Sequence, residues 1–149
     1  LVDKVGKATL WMIVGSAMVL VSHLIITFAP QGEPMYAYIA IALLGIGYSL
    51  VPSAMWPSVP KIIPEKNLGT AYSLIYWVQN LGMWAVPIYV GRIFKKEITE
   101  AGNITQEITA AIHAEYVFIF LGIVAIATAM MLYHSSRRHP ELRLDEPAQ

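Results

Sequence analysis

The ten basic and ten acidic residues of this chain all lie outside four apolar runs, Ala8–Ala29, Met35–Pro60, Asn67–Gly91 and Tyr116–Ser136. A helix needs about 20 apolar residues to cross the hydrocarbon core of a bilayer, and each run meets that length. A soluble helix as long would carry a charged face for water to wet; none of these runs has one. The pattern predicts an all-α integral membrane protein with four transmembrane helices, over about residues 8–29, 35–60, 67–91 and 114–136. Four greasy core helices in a soluble bundle are the alternative, and the lengths argue against them.

Charged residues make up 13% of the chain, against about 25% in an average soluble domain. The formal net charge is zero, so no basic field points to nucleic acid. With no cysteine there is no disulfide, thiolate nucleophile or Cys-based metal site. The chain opens on Leu1, a span follows within a few residues, and no signal-peptide pattern is visible. We therefore expect the closing part of a longer protein. Basic residues favour the cytoplasmic side of a membrane. Lys4, Lys7, Lys61, Lys66, Arg137, Arg138 and Arg143 would lie inside, and Arg92, Lys95 and Lys96 outside, which puts both chain ends in the cytoplasm.

The spans differ in character. Ala8–Ala29 holds one ionisable group, His23, and a short Pro-Gly turn from Pro30 to Pro34 brings the second span back beside it. The second span contains Pro52 and Pro57, which free the carbonyls of Tyr48 and Ser53 from helical bonding and predict a loosened helix. In lipid such carbonyls must find protein or water, so this helix should face a neighbour or a wet cavity. The third span carries Tyr72, Tyr76, Gln79, Asn80, Met83 and Pro87 at spacings of three and four, one stripe of a helix. A Gln-Asn pair at membrane depth needs partners between helices or in water. The fourth is almost purely apolar and reads as a peripheral, lipid-facing helix, with an extension that could begin at an Asn103–Gln106 capping box. Residues 1–138 then form the bundle. His139 to Gln149, polar and Pro-containing, reads as a disordered cytoplasmic tail.

No enzyme constellation appears: no H-E-x-x-H, no paired carboxylate within a span, no G-x-S-x-G elbow. We expect no catalytic residues, no metal and no cofactor. An ionisable group inside a membrane is a functional candidate by default. For His23, alone near the outer turn, a packing role is the stronger reading. The Asn103-Ile-Thr105 triplet fits a glycosylation sequon, a pattern too common to carry weight.

Several segments together resemble the major facilitator superfamily. Leu1, Asp3, Lys4, Gly6 and Lys7 are similar to the end of its inner-loop motif, G-x-L-x-D-[RK]-x-G-[RK]. Trp56-Pro-Ser-Val-Pro60, Ile63-Pro-Glu-Lys-Asn-Leu-Gly-Thr-Ala-Tyr72 and Gln79-Asn-Leu-Gly82 resemble the branch that holds lysosomal dipeptide uniporters and bacterial relatives. The resemblance implies that the four spans are helices nine to twelve of a 12-helix fold, whose halves rock about a midplane site. Met35–Pro60 would line the cavity and Asn67–Gly91 would pack against the other half, with the first and last spans outside.

By the same resemblance, Asp3, Lys4, Gly6 and Lys7 form a conformational latch. Asp3 would meet a helix amino end in the first half, and the segment Leu68-Gly-Thr70 would receive the corresponding Asp. Tyr48, Trp56, Tyr72, Tyr76, Gln79 and Asn80 would line the substrate pathway, where aromatic and amide groups suit a zwitterionic or peptide-like solute. The expected function is transport of a small organic solute, a dipeptide or amino-acid-like compound, in partnership with the bilayer and eight further helices of the same chain. Carriers of sugars, nitrate or drug-like solutes, and a standalone four-helix assembly protein, are the alternatives. The bacterial inner membrane is the expected location, with the lysosomal membrane as alternative.

Overall fold

A computed structural model describes residues 6–30, 32–99 and 102–146. Asp3 and Lys4 of the expected latch lie outside the described residues. Four long helices account for almost all of the rest: α1 (Ala8–Phe28), α2 (Pro34–Ile62), α3 (Leu68–Glu97) and α4 (Ile104–Arg138). Their ends follow local chemistry. Pro34 opens α2, where its missing N–H is an orphan anyway. Ile63 is extended because Pro64 follows it, and a single 3-10 turn, Glu65–Asn67, then leads into α3. Asn103 caps α4, its side chain accepting the Gln106 N–H at 3.3 Å. The Gln106 side chain bonds Thr99, accepting the Thr99 N–H and donating to its hydroxyl, both at 2.9 Å.

Helix α1 packs along both α2 and α4 and is the centre of the packing, α3 packs along α4, and α2 and α3 touch only locally. Small residues make the α1–α2 seam. A Cβ added at Gly15 would sit 2.9 Å from the Gly47 carbonyl oxygen, and one at Gly47 would sit 2.7 Å from that of Gly15. The two backbones touch there, which is how helices associate in lipid, where apolar burial alone drives nothing together. Ser22, Ala40 and Ala54 are fully buried along the two helices. On α4 the buried residues, Ala110, Ala114, Gly122, Ala129 and Ser136, likewise form one small-residue stripe.

Three features of the structure bear on these expectations. First, α1, α2 and α4 are long and apolar enough to cross a membrane, whereas α3, at 30 residues, is long enough but not apolar enough. Gln79, Asn80 and its four tyrosine and tryptophan neighbours at Tyr72, Tyr76, Trp77 and Trp84 dilute its aliphatic residues. Second, α2 runs unbroken through Pro52, Pro57 and Pro60. Hydroxyls stand around the weakened turns: Ser49, Ser53 and Ser58 donate to the carbonyls of Ile46, Leu50 and Ala54. Third, the segment after Arg138 is not loose up to Glu146. A 3-10 turn, Pro140–Leu142, folds it back, and Leu144 is buried against the bundle.

Candidate functional site

The sequence stripe on α3 and the proline-rich half of α2 meet at one place. Trp56 of α2 packs against Tyr72 and Tyr76 of α3, with ring centroids 5.6 and 5.1 Å apart and planes tilted by 40° and 31°. The two tyrosines are four residues apart, so they stack along one face of their helix. The short 63–67 connection brings that face to Trp56. Tilted aromatic pairs at these distances are favourable beyond their buried area, so the three rings form an aromatic wall between α2 and α3.

Beyond it the wall opens. Tyr48 is 70% exposed and lies two turns from Trp56 along α2. Gln79 and Asn80 are exposed on α3. Asn80 donates to the Tyr76 carbonyl at 2.8 Å, which holds its amide in place and leaves the side-chain oxygen outward. Gln79 has no hydrogen bond among the described residues. Of the six residues expected to line a pathway, Trp56, Tyr72 and Tyr76 are thus brought together, while Tyr48, Gln79 and Asn80 stand on the open side without a partner from another helix. Such a surface can offer aromatic faces to a cation and amide groups to a peptide bond.

At the amino end of α1, Gly6 (φ 68°) and Lys7 (φ 56°) both adopt the left-handed conformation just before the helix. That turn suits Gly6 and is strained at Lys7. The α3 amino end, near Leu68, Gly69 and Thr70, carries no side-chain cap from Asn67.

A second polar feature was not foreseen. His23 Nδ1 lies 2.7 Å from Glu115 Oε2, with side chains only 12% and 19% exposed. The imidazole also stacks on Phe118, at 5.1 Å and 9° between planes. Glu115 stands at the start of the predicted fourth span, and the sequence names no partner for it. Because α4 begins at Ile104, three turns before the apolar run, Glu115 is a helical residue facing α1. The signal was present in the sequence: Glu115, Phe118 and Gly122 follow helical spacing into the small-residue stripe. His113 and Glu97 approach to 3.3 Å across the α3–α4 connection, in a more exposed setting. No group of three or more potential metal ligands occurs among the described residues.

The packed apolar helices thus leave a polar-aromatic face of α2 and α3 exposed. The Major Facilitator Superfamily model matches residues 1–87, and the chain belongs to that family. It is 42% identical over 93 residues to the lysosomal dipeptide transporter MFSD1 of Homo sapiens, covering 62% of this chain and 19% of the relative. The Mus musculus protein of the same name is 43% identical over the same span, with the same coverage. That of Danio rerio is 32% identical over 133 residues, 89% of this chain and 25% of the relative. The chain therefore spans a fifth to a quarter of the length of these relatives. No solved structure matches it.

Proposed function

We propose that these four helices are the closing part of a secondary transporter that moves small zwitterionic solutes, dipeptides first, by alternating access. The observation that carries this reading is the Trp56–Tyr72–Tyr76 wall, continued by the exposed amides of Gln79 and Asn80. The named activity of the relatives supports the same solute class. A dipeptide presents an ammonium group, a carboxylate and one amide. The ammonium group suits the aromatic faces, and the amide suits Gln79 and Asn80.

In this reading α2 and α3 face the cavity, with preceding helices of the same polypeptide closing the other side. Asp3, Lys4, Gly6 and Lys7 form the inner latch, and the uncapped start of α3 receives the matching acid from the first half. The relatives' names favour a lysosomal membrane over the bacterial inner membrane. Uptake of a labelled dipeptide by full-length protein in liposomes tests the reading. Uptake that unlabelled dipeptides compete away, and that free amino acids and sugars do not, is the expected result. Uptake of only sugars or nitrate overturns the solute class, and no flux of any of them overturns transport.

A further inference from the structure

The amino end of α1 lacks a local cap. Lys7 occupies the capping position without a side-chain bond, and the first turn holds no acid. The orphan N–H groups and the positive end of the helix dipole favour a carboxylate there. Asp145 supplies one from the far end of the chain. Thr9 donates its N–H to Oδ1 at 3.0 Å, and its hydroxyl lies 2.7 and 3.0 Å from the two carboxylate oxygens. Ser136 of α4 donates to Oδ2 at 3.2 Å, and the Lys7 N–H to the Asp145 carbonyl at 2.8 Å.

The same segment is tied to α2. Lys61 Nζ donates to the carbonyls of Arg143, Leu144 and Glu146 at 3.2, 3.4 and 2.8 Å. Arg143 turns the chain in a left-handed conformation, φ 48°. Leu144 is 1% exposed, the largest fully buried side chain among the described residues. Elsewhere the helices bury mostly alanine, glycine and serine, so this leucine is an anchor and not an incidental contact.

We propose that Arg143–Glu146 is a clip that caps α1 from a distance and gathers the inner ends of α1, α2 and α4. Asp145 is its positioning residue. By holding Thr9 and the Lys7 backbone it sets the base of the loop that carries Gly6 and Lys7. The consequence for transport rests on the reading above: the three helices rock as one body, with the latch loop at a fixed angle to them.

Hydrogen–deuterium exchange on the full-length protein in lipid nanodiscs reads the clip directly. In D145N and in T9V the amides of residues 7 and 9 exchange about tenfold faster, the size of effect expected for a lost helix cap. Amides at the centre of α1 stay unchanged. In liposomes the same variants lower kcat for dipeptide uptake about fivefold, the low side of the same loss, with KM unaltered because no clip bond touches Trp56, Tyr72 or Tyr76. D145E recovers part of the rate. Unchanged exchange at residue 7 in D145N overturns the clip, and faster exchange with full kcat overturns the positioning role. A parent protein that carries no dipeptide sinks the transporter reading, and the clip then stands or falls on the exchange rates.

Discussion

Substitution G15A tests the packing at the α1–α2 seam with a single methyl group. The new Cβ would lie 2.8 Å from Val51 Cγ2, 2.9 Å from the Gly47 carbonyl oxygen and 3.1 Å from Leu50 Cβ, where ordinary contact begins at 3.4 Å. Val51 can rotate away, but the carbonyl oxygen belongs to the α2 backbone and cannot. The helices must part by about half an ångström, which loosens every dispersion contact along the seam. Overpacking of this kind costs about 1–3 kcal/mol. A control sits in the neighbouring helix α2. A Cβ at Gly45 meets nothing within 4 Å, so G45A keeps only the helix-propensity gain of alanine over glycine, up to about 1 kcal/mol. Thermal unfolding in detergent micelles, followed by tryptophan fluorescence, should therefore move in opposite directions for the two variants. G47A should resemble G15A, and the double variant should cost less than the sum, because both methyls push apart the same two backbones. A G15A protein as stable as G45A would refute the close-contact reading of the seam.

Three further outcomes follow from the polar features. Substitution E115L strands His23 beside the α4 seam and should cost about 3 kcal/mol, the low end for breaking a buried pair. The double variant H23L/E115L should recover much of that loss in the same unfolding assay. Substitution W56A removes the shared partner of Tyr72 and Tyr76, and should raise the KM for dipeptide uptake about tenfold if an ammonium group rests on that wall, whereas W56F should change it little. Substitution Q79L should leave the folded protein at least as stable in micelles, since it removes an amide without a partner, while slowing dipeptide uptake in liposomes. A Q79L protein that transports at the parent rate would remove Gln79 from the pathway.

The helical architecture was legible because charge is excluded from a membrane core, and that exclusion marks the runs whatever else the residues do. Breakers at Pro30–Pro34 and Ile63–Pro64 marked the turns for the same local reasons the structure shows. The meeting of Trp56 with Tyr72 and Tyr76 was half legible: spacing put the tyrosines on one face, and a short connection did the rest. The pairing of Glu115 with His23 was missed because helical spacing places a residue on a face of its own helix but does not say which distant helix that face meets. The Asp145 cap was hidden for a different reason. A polar, proline-containing tail looks solvated by composition, and nothing in a sequence of this kind announces that an acid will seat on a helix end more than a hundred positions earlier.

Helix α3 contributes no buried residue to this structure, and that has a consequence for how the protein is made. A translocating ribosome presents segments to the lipid one after another, and each partitions by its own apolar content. Helices α1 and α2 can leave the insertion channel unaided, whereas α3, with Gln79 and Asn80 near its middle, is a poor candidate to do so alone. It enters the bilayer best when α4 arrives to shield one side. Of the two helices that line the proposed solute path, α3 is thus the later to become stable during synthesis, and defects in its neighbours should surface first as a failure to insert α3.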